Sequence, residues 1–405
     1  MSLPLIVRAL AHRDYRFFMA SQVLSLFGFW VQTVAQMWLM YRLTDQAFAV
    51  AWVAIAQQGP GLVIGPLAGA LADRHSRRKM LVWAQAAAIL PAVAMAALVF
   101  SGAATPLSLF AIALVAGIAR AFEIPTRQAF VPELVERADI PNAIALNSIV
   151  FNLARIAGPA LGGTLIATVG EGWCFAVNAI LLLPVIAALL AIRARPAARP
   201  RDRSSTLASE VGAAARHVLG DPILWALLGG LAVASIVGMP NTVLLPSFAA
   251  RVLEAGAETF GILNAAVAVG AIASALILAS RSDEQGLDAW LLASGLLFAV
   301  GLVGLAASTD LGWAMISLAA IGGGFMFLMA ATNTLVQLRV PDALRGRVMS
   351  FHTALFLGLF PFGSLAAGAL ADRFGEAAVM AIAAVLVALS SLAFGSVLLR
   401  HRRDW

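Results

Sequence analysis

The stretch Gly69-Ala-Leu-Ala-Asp-Arg-His-Ser-Arg-Arg-Lys79 places one carboxylate, a histidine and four cationic side chains directly after an apolar run. On either side of it, residues 48–72 and 80–101 carry no charge. A bilayer core about 30 Å thick takes about 20 apolar residues per helical crossing. The charged stretch therefore reads as a joint in the headgroup layer between two crossings. How often that pattern recurs decides the fold.

It recurs along the whole chain. The 405 residues are 61% hydrophobic and 12% charged, with a mean hydropathy of +0.91, against about 25% charged in soluble domains. Twelve apolar stretches lie at 16–41, 48–72, 80–101, 106–125, 143–168, 173–193, 222–249, 259–280, 288–307, 312–333, 348–370 and 377–399. They are rich in Ala, Leu, Val and Gly and lack the ten-residue alternation of a strand barrel. In lipid such segments satisfy their backbone groups as helices. The expectation is an all-α membrane protein with twelve transmembrane helices. Met1 to Arg16 already holds Arg8, Arg13 and Arg16 and runs straight into a full span, so no removable signal peptide is expected. The single cysteine, Cys174, cannot form an internal disulfide and reads as a small apolar filler.

Charge sets the expected orientation. Of the 27 Lys and Arg residues, Arg42, Arg251 and Arg373 fall in joints on one side, and Arg120 and Arg155 fall inside spans. The rest lie on the opposite side, among them the Arg74–Lys79 cluster, the 193–216 segment, Arg281 and the C-terminal arginines. Cationic loops resist translocation, so both termini are expected in the cytoplasm of a bacterial inner membrane. The net charge of +6 and pI near 10.8 do not point to nucleic acid, because the arginines spread along one membrane face with no groove-reading element. Anionic lipid headgroups account for them.

The longest polar stretch, from Arg193 to Thr206, is rich in Arg, Pro and Ser and reads as a linker. Sliding the flanking halves by 205 residues aligns Gly65 with Gly270, Leu71 with Leu276, Gly158 with Gly363, Gly163 with Gly368, and Gly170-Glu171 with Gly375-Glu376. The expected organisation is two pseudo-symmetric six-helix bundles, 1–193 and 219–405, joined by a cytoplasmic linker at 194–218. Transporters that rock two parallel repeats about a central site are built this way.

The joint resembles the signature of the major facilitator superfamily between its second and third helices. Gly69, Asp73, Arg74, Arg77, Arg78 and Lys79 match, and Ser76 replaces a second Gly. The resemblance implies the major facilitator fold, with this cluster as a gate latching the two halves at the cytoplasmic face. A carboxylate at a helix end needs a partner, and Arg77 is the expected one for Asp73. In the fifth span, Ala157-Gly-Pro-Ala-Leu-Gly-Gly163 lets helix backbones approach closely, and Pro159 bends the helix. It is similar to the fifth-helix motif of superfamily exporters and antiporters through Gly158, Pro159, Gly162 and Gly163, with Ala154 where an earlier Gly stands. Gly28-Phe-Trp-Val-Gln32, Phe122 to Phe130, Pro141 to Ser148 and Pro341 to Arg347 resemble the branch that includes the bacterial enterobactin exporter and its efflux relatives. That branch often carries a carboxylate between the Gly and Trp of the first helix, where this chain has Phe29.

Charged groups inside hydrocarbon mark a pathway. Arg120, Glu123 and Arg127 fall on one face of the fourth span as an ion-pair ladder, serving as a structural gate or as a proton carrier. Arg155 is expected to meet an anionic substrate group or to pair with Glu123. His352, early in the eleventh span, is either a structural or a titrating group. Trp30, Gln32, Gln36, Asn147, Asn152, Asn178 and Asn264 are candidates for lining a substrate cavity, with helix-to-helix hydrogen bonding as the alternative. The chain has no Walker-type phosphate loop, no HExxH or CxxC metal spacing and no Gly-x-Ser-x-Gly elbow. An enzyme, a bound cofactor and a metal site are therefore not expected.

The function these features imply is secondary active transport by alternating access. The expected form is a proton-coupled exporter of a small amphipathic, drug-like or siderophore-like compound, acting as a monomer in the bilayer. A lysophospholipid flippase or an importer of the same fold, and a non-transporting scaffold or receptor, are the alternatives.

Overall fold

The computed structural model describes residues 5–193, 216–280 and 286–400. Most of the expected linker, together with Arg281, lies outside the described residues. Among these residues, twelve helices are long and apolar enough to cross a membrane. They are α1 (Arg13–Thr44), α2 (Ala47–Arg74), α3 (Arg77–Phe100), α4 (Pro106–Phe130), α5 (Ile140–Val169) and α6 (Glu171–Ala191), then α7 (Pro222–Val252), α8 (Ala257–Ala279), α9 (Leu287–Ala306), α10 (Leu311–Arg339), α11 (Asp342–Phe374) and α12 (Glu376–Arg400).

Several helices outrun the apolar stretches that announce them. The expected fourth span stops at residue 125, yet α4 continues through Pro125 to Phe130, burying Thr126 and Arg127 on the way. Proline removes one backbone donor and bends a helix without having to end it when neighbouring packing holds the next turn. Helix starts are written in side-chain chemistry. Thr105 and Ser108 form a capping box ahead of Pro106, and Asp310 accepts from the Trp313 amide at 2.9 Å. Ser76, the residue that departs from the joint signature, caps α3 by accepting from the Lys79 amide. In α7, wide π turns at Ala234–Gly238 and Phe248–Val252 flank a helical piece, Asn241–Ser247. Pro240 and Pro246 withdraw two donors there, and the wider turns absorb the mismatch.

Asp221 caps α7. Its Oδ1 accepts from the amides of Ile223 (2.9 Å) and Leu224 (3.3 Å), and its Oδ2 accepts from Arg339 Nε at 2.6 Å. Burial favours the neutral acid, but the Arg339 hydrogen bond, the two amides and the guanidinium charge outweigh it and hold Asp221 below the usual carboxylate range. A depressed folded-state value gives stability that is complete above the unfolded value of about 3.9 and is lost as pH falls through the folded value. Asp221→Asn is therefore expected to lower unfolding stability at neutral pH by up to about 1 kcal/mol. In detergent unfolding titrations the gap from the parent should close on acidification below about pH 4.

The chain divides into two compact units. Unit 1 is Met1–Asp45, Trp52–Pro200 and Ala255–Ala265; unit 2 is Gln46–Ala51, Arg201–Glu254 and Ala266–Trp405. The first turn of α2 thus belongs to unit 2, and the first turns of α8 to unit 1. Inside unit 1, α1 packs on α5 and α6, and α3 on α4 and α6. Inside unit 2, α7 packs on α11 and α12, and α9 on α10 and α12, the same pairs carried forward by six helices. Around Tyr15, Phe18, Phe130 and Leu189 unit 1 forms an apolar core, with the Phe18 and Phe130 rings edge to face at 5.9 Å. Unit 2 has its own around Leu224, Leu227, Phe327 and Leu398.

Of the repeated glycine pairs, three have matching structural reasons. Gly170 (φ 91°, ψ 166°) and Gly375 (φ 84°, ψ 156°) break α5 from α6 and α11 from α12 in a conformation essentially closed to other residues. The glutamate that follows each opens the next helix, is buried, and meets an arginine of its own unit: Glu171 with Arg42 at 2.9 Å, Glu376 with Arg251 at 3.3 Å. No neighbouring atom lies within 4 Å of a Cβ added at either glycine. Gly170→Ala and Gly375→Ala are accordingly expected to destabilise by similar amounts, about 1–3 kcal/mol each from backbone strain alone, measurable by the same titrations. Gly158 and Gly363 abut the first helix of their own repeat, at Trp30 and at Ile236, and Gly163 and Gly368 meet backbone at Ala257 and Phe48. Gly65, by contrast, has open space where Gly270 presses on Ala319.

Candidate functional site

The densest intramembrane polar chemistry is on α4. Glu123 is buried, its Oε2 3.5 Å from Arg120 Nη1 and its Oε1 3.6 Å from Arg127 Nη1. Helical spacing alone produces this ladder, since positions three and four apart share a face. Arg127 also donates to Gln22 Oε1 at 3.0 Å. The Arg120 guanidinium carbon lies 3.4 Å over the ring of Phe29. The aromatic face at the position where the resemblance expects a carboxylate thus offers Arg120 a cation–π contact.

Arg120 and Glu123 line a cavity inside unit 1 together with Phe29, Gln32, Gln36, Gln57, Gln85 and Asn178. Its amides pair across helices: Asn178 Nδ2 donates to Gln32 Oε1 at 2.5 Å, Gln57 Nε2 donates to Gln36 Oε1, and Gln85 Nε2 donates to Ser25 Oγ at 3.3 Å. The interior volume is about 60 Å³. At about 10–15 Å³ per water, that is room for several waters beside the carboxylate and far too little for an amphipathic cargo.

Three of the cavity candidates read from sequence, Gln32, Gln36 and Asn178, therefore come together in unit 1. Trp30, Asn147 and Asn152 do not line this cavity. Asn152 donates to Ser148 O of its own helix, and Asn264 to Phe260 O of its own. The Asn147 Oδ1 and Trp30 Nε1 atoms are buried with no hydrogen-bond partner. Arg155 does not reach Glu123, whose charge is taken up by Arg120 and Arg127. In unit 2, His352 is buried and its Nε2 has no partner. Sequence reasoning missed Gln22, Gln57 and Gln85; their only signal was an amide inside an apolar run.

On α5, a Cβ at Gly162 would stand 3.2 Å from Val31 Cα, and one at Gly163 would stand 2.6 Å from Ala257 O and 3.1 Å from Gly261 Cα, all inside unit 1. Pro159, whose carbonyl faces Gly261, is buried beside them. At the opening joint, Arg77 donates to Glu133 Oε1 and to Ala129 O, both at 2.8 Å. Arg78 donates to Ile192 O just past α6. Arg74 is exposed, and Gly69 has no atom within 4 Å of an added Cβ. The side chain of Asp73 lies outside the described residues. Elsewhere in unit 1, buried Asp139 accepts from Arg8 Nε at 2.7 Å and meets His12 Nε2 at 2.8 Å, tying the N-terminal turn to the start of α5.

A family model described as a transmembrane secretion effector matches residues 7–404. The chain belongs to the major facilitator superfamily. Within it, the chain is 26% identical over 363 residues to the staphyloferrin A transporter of Staphylococcus aureus, covering 89% of this chain and 90% of that one. It is 30% identical over 299 residues to the enterobactin exporter EntS of Citrobacter koseri, covering 73% and 69%. To the multidrug efflux pump Tap of Mycolicibacterium fortuitum it is 27% identical over 354 residues, covering 85% and 86%. Its fold matches that of a bacterial homolog of the human lysosomal transporter Spinster with a TM-score of 0.74 at 16% identity, covering 100% and 99%. This major facilitator chain is a transporter of small molecules and a multi-pass bacterial membrane protein, not an enzyme.

Proposed function

We propose that the chain is a proton-coupled exporter of a small amphipathic, siderophore-like compound, working by alternating access as a monomer in the inner membrane with both termini in the cytoplasm. One observation supports coupling above the others: Glu123 sits between two arginines of a membrane helix, at the wall of a polar cavity with room for several waters. The cavity gives a proton a polar route to that carboxylate, and the two ion pairs tie its charge to the placement of the α4 side chains. A shift of α4 side chains could therefore exchange a proton for a conformational change. The small-residue face of α5 and the exporters among the relatives support the outward direction.

Accumulation in inside-out vesicles tests this reading. The expected result is concentrative uptake of a hydroxamate or catecholate siderophore that collapses when the imposed pH gradient is dissipated. Uptake indifferent to the gradient would remove protons from the mechanism, and movement only in the opposite direction would make the chain an importer. The relation to a multidrug pump favours a wider cargo range as the second reading. Uptake of unrelated cationic dyes at comparable rates would establish it.

A further inference from the structure

Helices α4 and α5 contain three arginines, Arg120, Arg127 and Arg155, and a single carboxylate, Glu123. Glu123 is shared by Arg120 and Arg127. Arg155, partly buried at the middle of α5, has no ion-pair or hydrogen-bond partner among the described residues. A guanidinium group in hydrocarbon without a counter-charge is costly and marks a place where an anion belongs.

Its neighbours locate that place. Phe151, one turn before Arg155, meets Trp30 with ring centroids 6.3 Å apart, and Gly158, just under a turn after, abuts Trp30 directly. Residues 151, 155 and 158 share one helix face, so Arg155 stands on the face turned toward α1 at Trp30. The Trp30 Nε1–H is buried and has no acceptor. Phe29 packs edge to face on Trp30 at 5.4 Å and carries the Arg120 guanidinium on its ring. This corner of unit 1 therefore gathers donors, an indole N–H and an arginine fork, that no acceptor among the described residues meets, between aromatic faces.

We propose that Arg155 and Trp30, with Arg120 alongside, form an oxyanion-recognition subsite for a carboxylate or phosphate group of the cargo, whose apolar part lies against Phe29, Trp30 and Phe151. An arginine fork matches the two oxygens of such a group, and indole can only donate. The subsite selects by charge: anions first, neutral analogues next, cations last. The proposal deepens the export reading by naming its cargo class, and for transport it rests on that reading.

The test uses the purified full-length protein and three probes with one fluorophore: dansyl-aspartate, its dimethyl ester and dansylcadaverine. The parent is expected to bind dansyl-aspartate at least about tenfold more tightly than the other two, a preference of the size one charge-assisted contact gives. Arg155→Gln should erase most of that preference while leaving ester affinity within about twofold. Trp30→Phe keeps the ring packing and should reduce the preference about threefold, which keeps the proposal testable if the arginine variant does not fold. Displacement of dansyl-aspartate by N-acetylaspartate but not by lysophosphatidylglycerol would assign the site to soluble carboxylates, and the reverse to a lipid phosphate. Equal affinity for acid and ester in the parent, or a preference retained in both variants, would overturn the subsite. In inside-out vesicles, an acid that binds selectively but never accumulates sinks the export reading and leaves the subsite standing. Ester accumulated as well as acid does the opposite.

Discussion

Gly163→Leu is expected to abolish cargo accumulation in vesicles and to cost the fold several kcal/mol, at or beyond the upper end of the usual 1–3 kcal/mol for overpacking. A Cβ at this position would stand 2.6 Å from Ala257 O and 3.1 Å from the Cα atoms of Glu258 and Gly261. All three are backbone atoms, so no rotamer change makes room. The contact is reciprocal, because a Cβ at Gly261 would stand 3.1 Å from Gly163 Cα. Leucine at Gly65, where no atom lies within 4 Å, is the control and is expected to leave transport and stability near the parent's. Unfolding titrations and vesicle uptake on both variants decide the matter, and a Gly163→Leu protein that transports normally would mean that the two backbones do not need this approach.

Glu123→Gln carries the second large effect. Removing one member of a buried charge cluster leaves the others uncompensated, at about 3–5 kcal/mol, and here two arginines lose their shared anion. Glutamine keeps the volume and an acceptor but cannot carry the charge. pH-driven uptake is expected to disappear while gradient-independent exchange of cargo persists. Adding Arg127→Gln should recover part of the lost stability, since it removes one of the stranded cations, without restoring the response to pH. A single variant that still follows the pH gradient would exclude Glu123 as the proton carrier.

Helix number and the Arg120–Glu123–Arg127 ladder were legible because each depends on spacing along one segment. An apolar run of fixed length announces a crossing, and residues three and four apart share a face. What stayed hidden depends on partners brought from elsewhere. Nothing in the run around Gln57 says that its amide turns to Gln36, and nothing near Arg77 announces Glu133, more than fifty positions away. The aromatic platform under Arg120 was equally silent. At Phe29 the resemblance points to a missing carboxylate, whereas its ring is what the cation rests on. The split of α2 between two units follows from Asp372, whose carboxylate accepts from the amides of Ala47 and Phe48 at 2.8 and 2.9 Å. Sequence shows an acid near a helix end and cannot show which amides it will hold.

The glycine corners at 170 and 375 bear on how the polypeptide could be taken apart. Each corner closes with an arginine from its own six-helix block, Arg42 for one and Arg251 for the other, so severing the chain between the blocks breaks neither ion pair. Separately expressed fragments would each keep their glycine-cornered hairpin intact, which makes this protein a suitable subject for fragment complementation, with recovered uptake reporting reassembly.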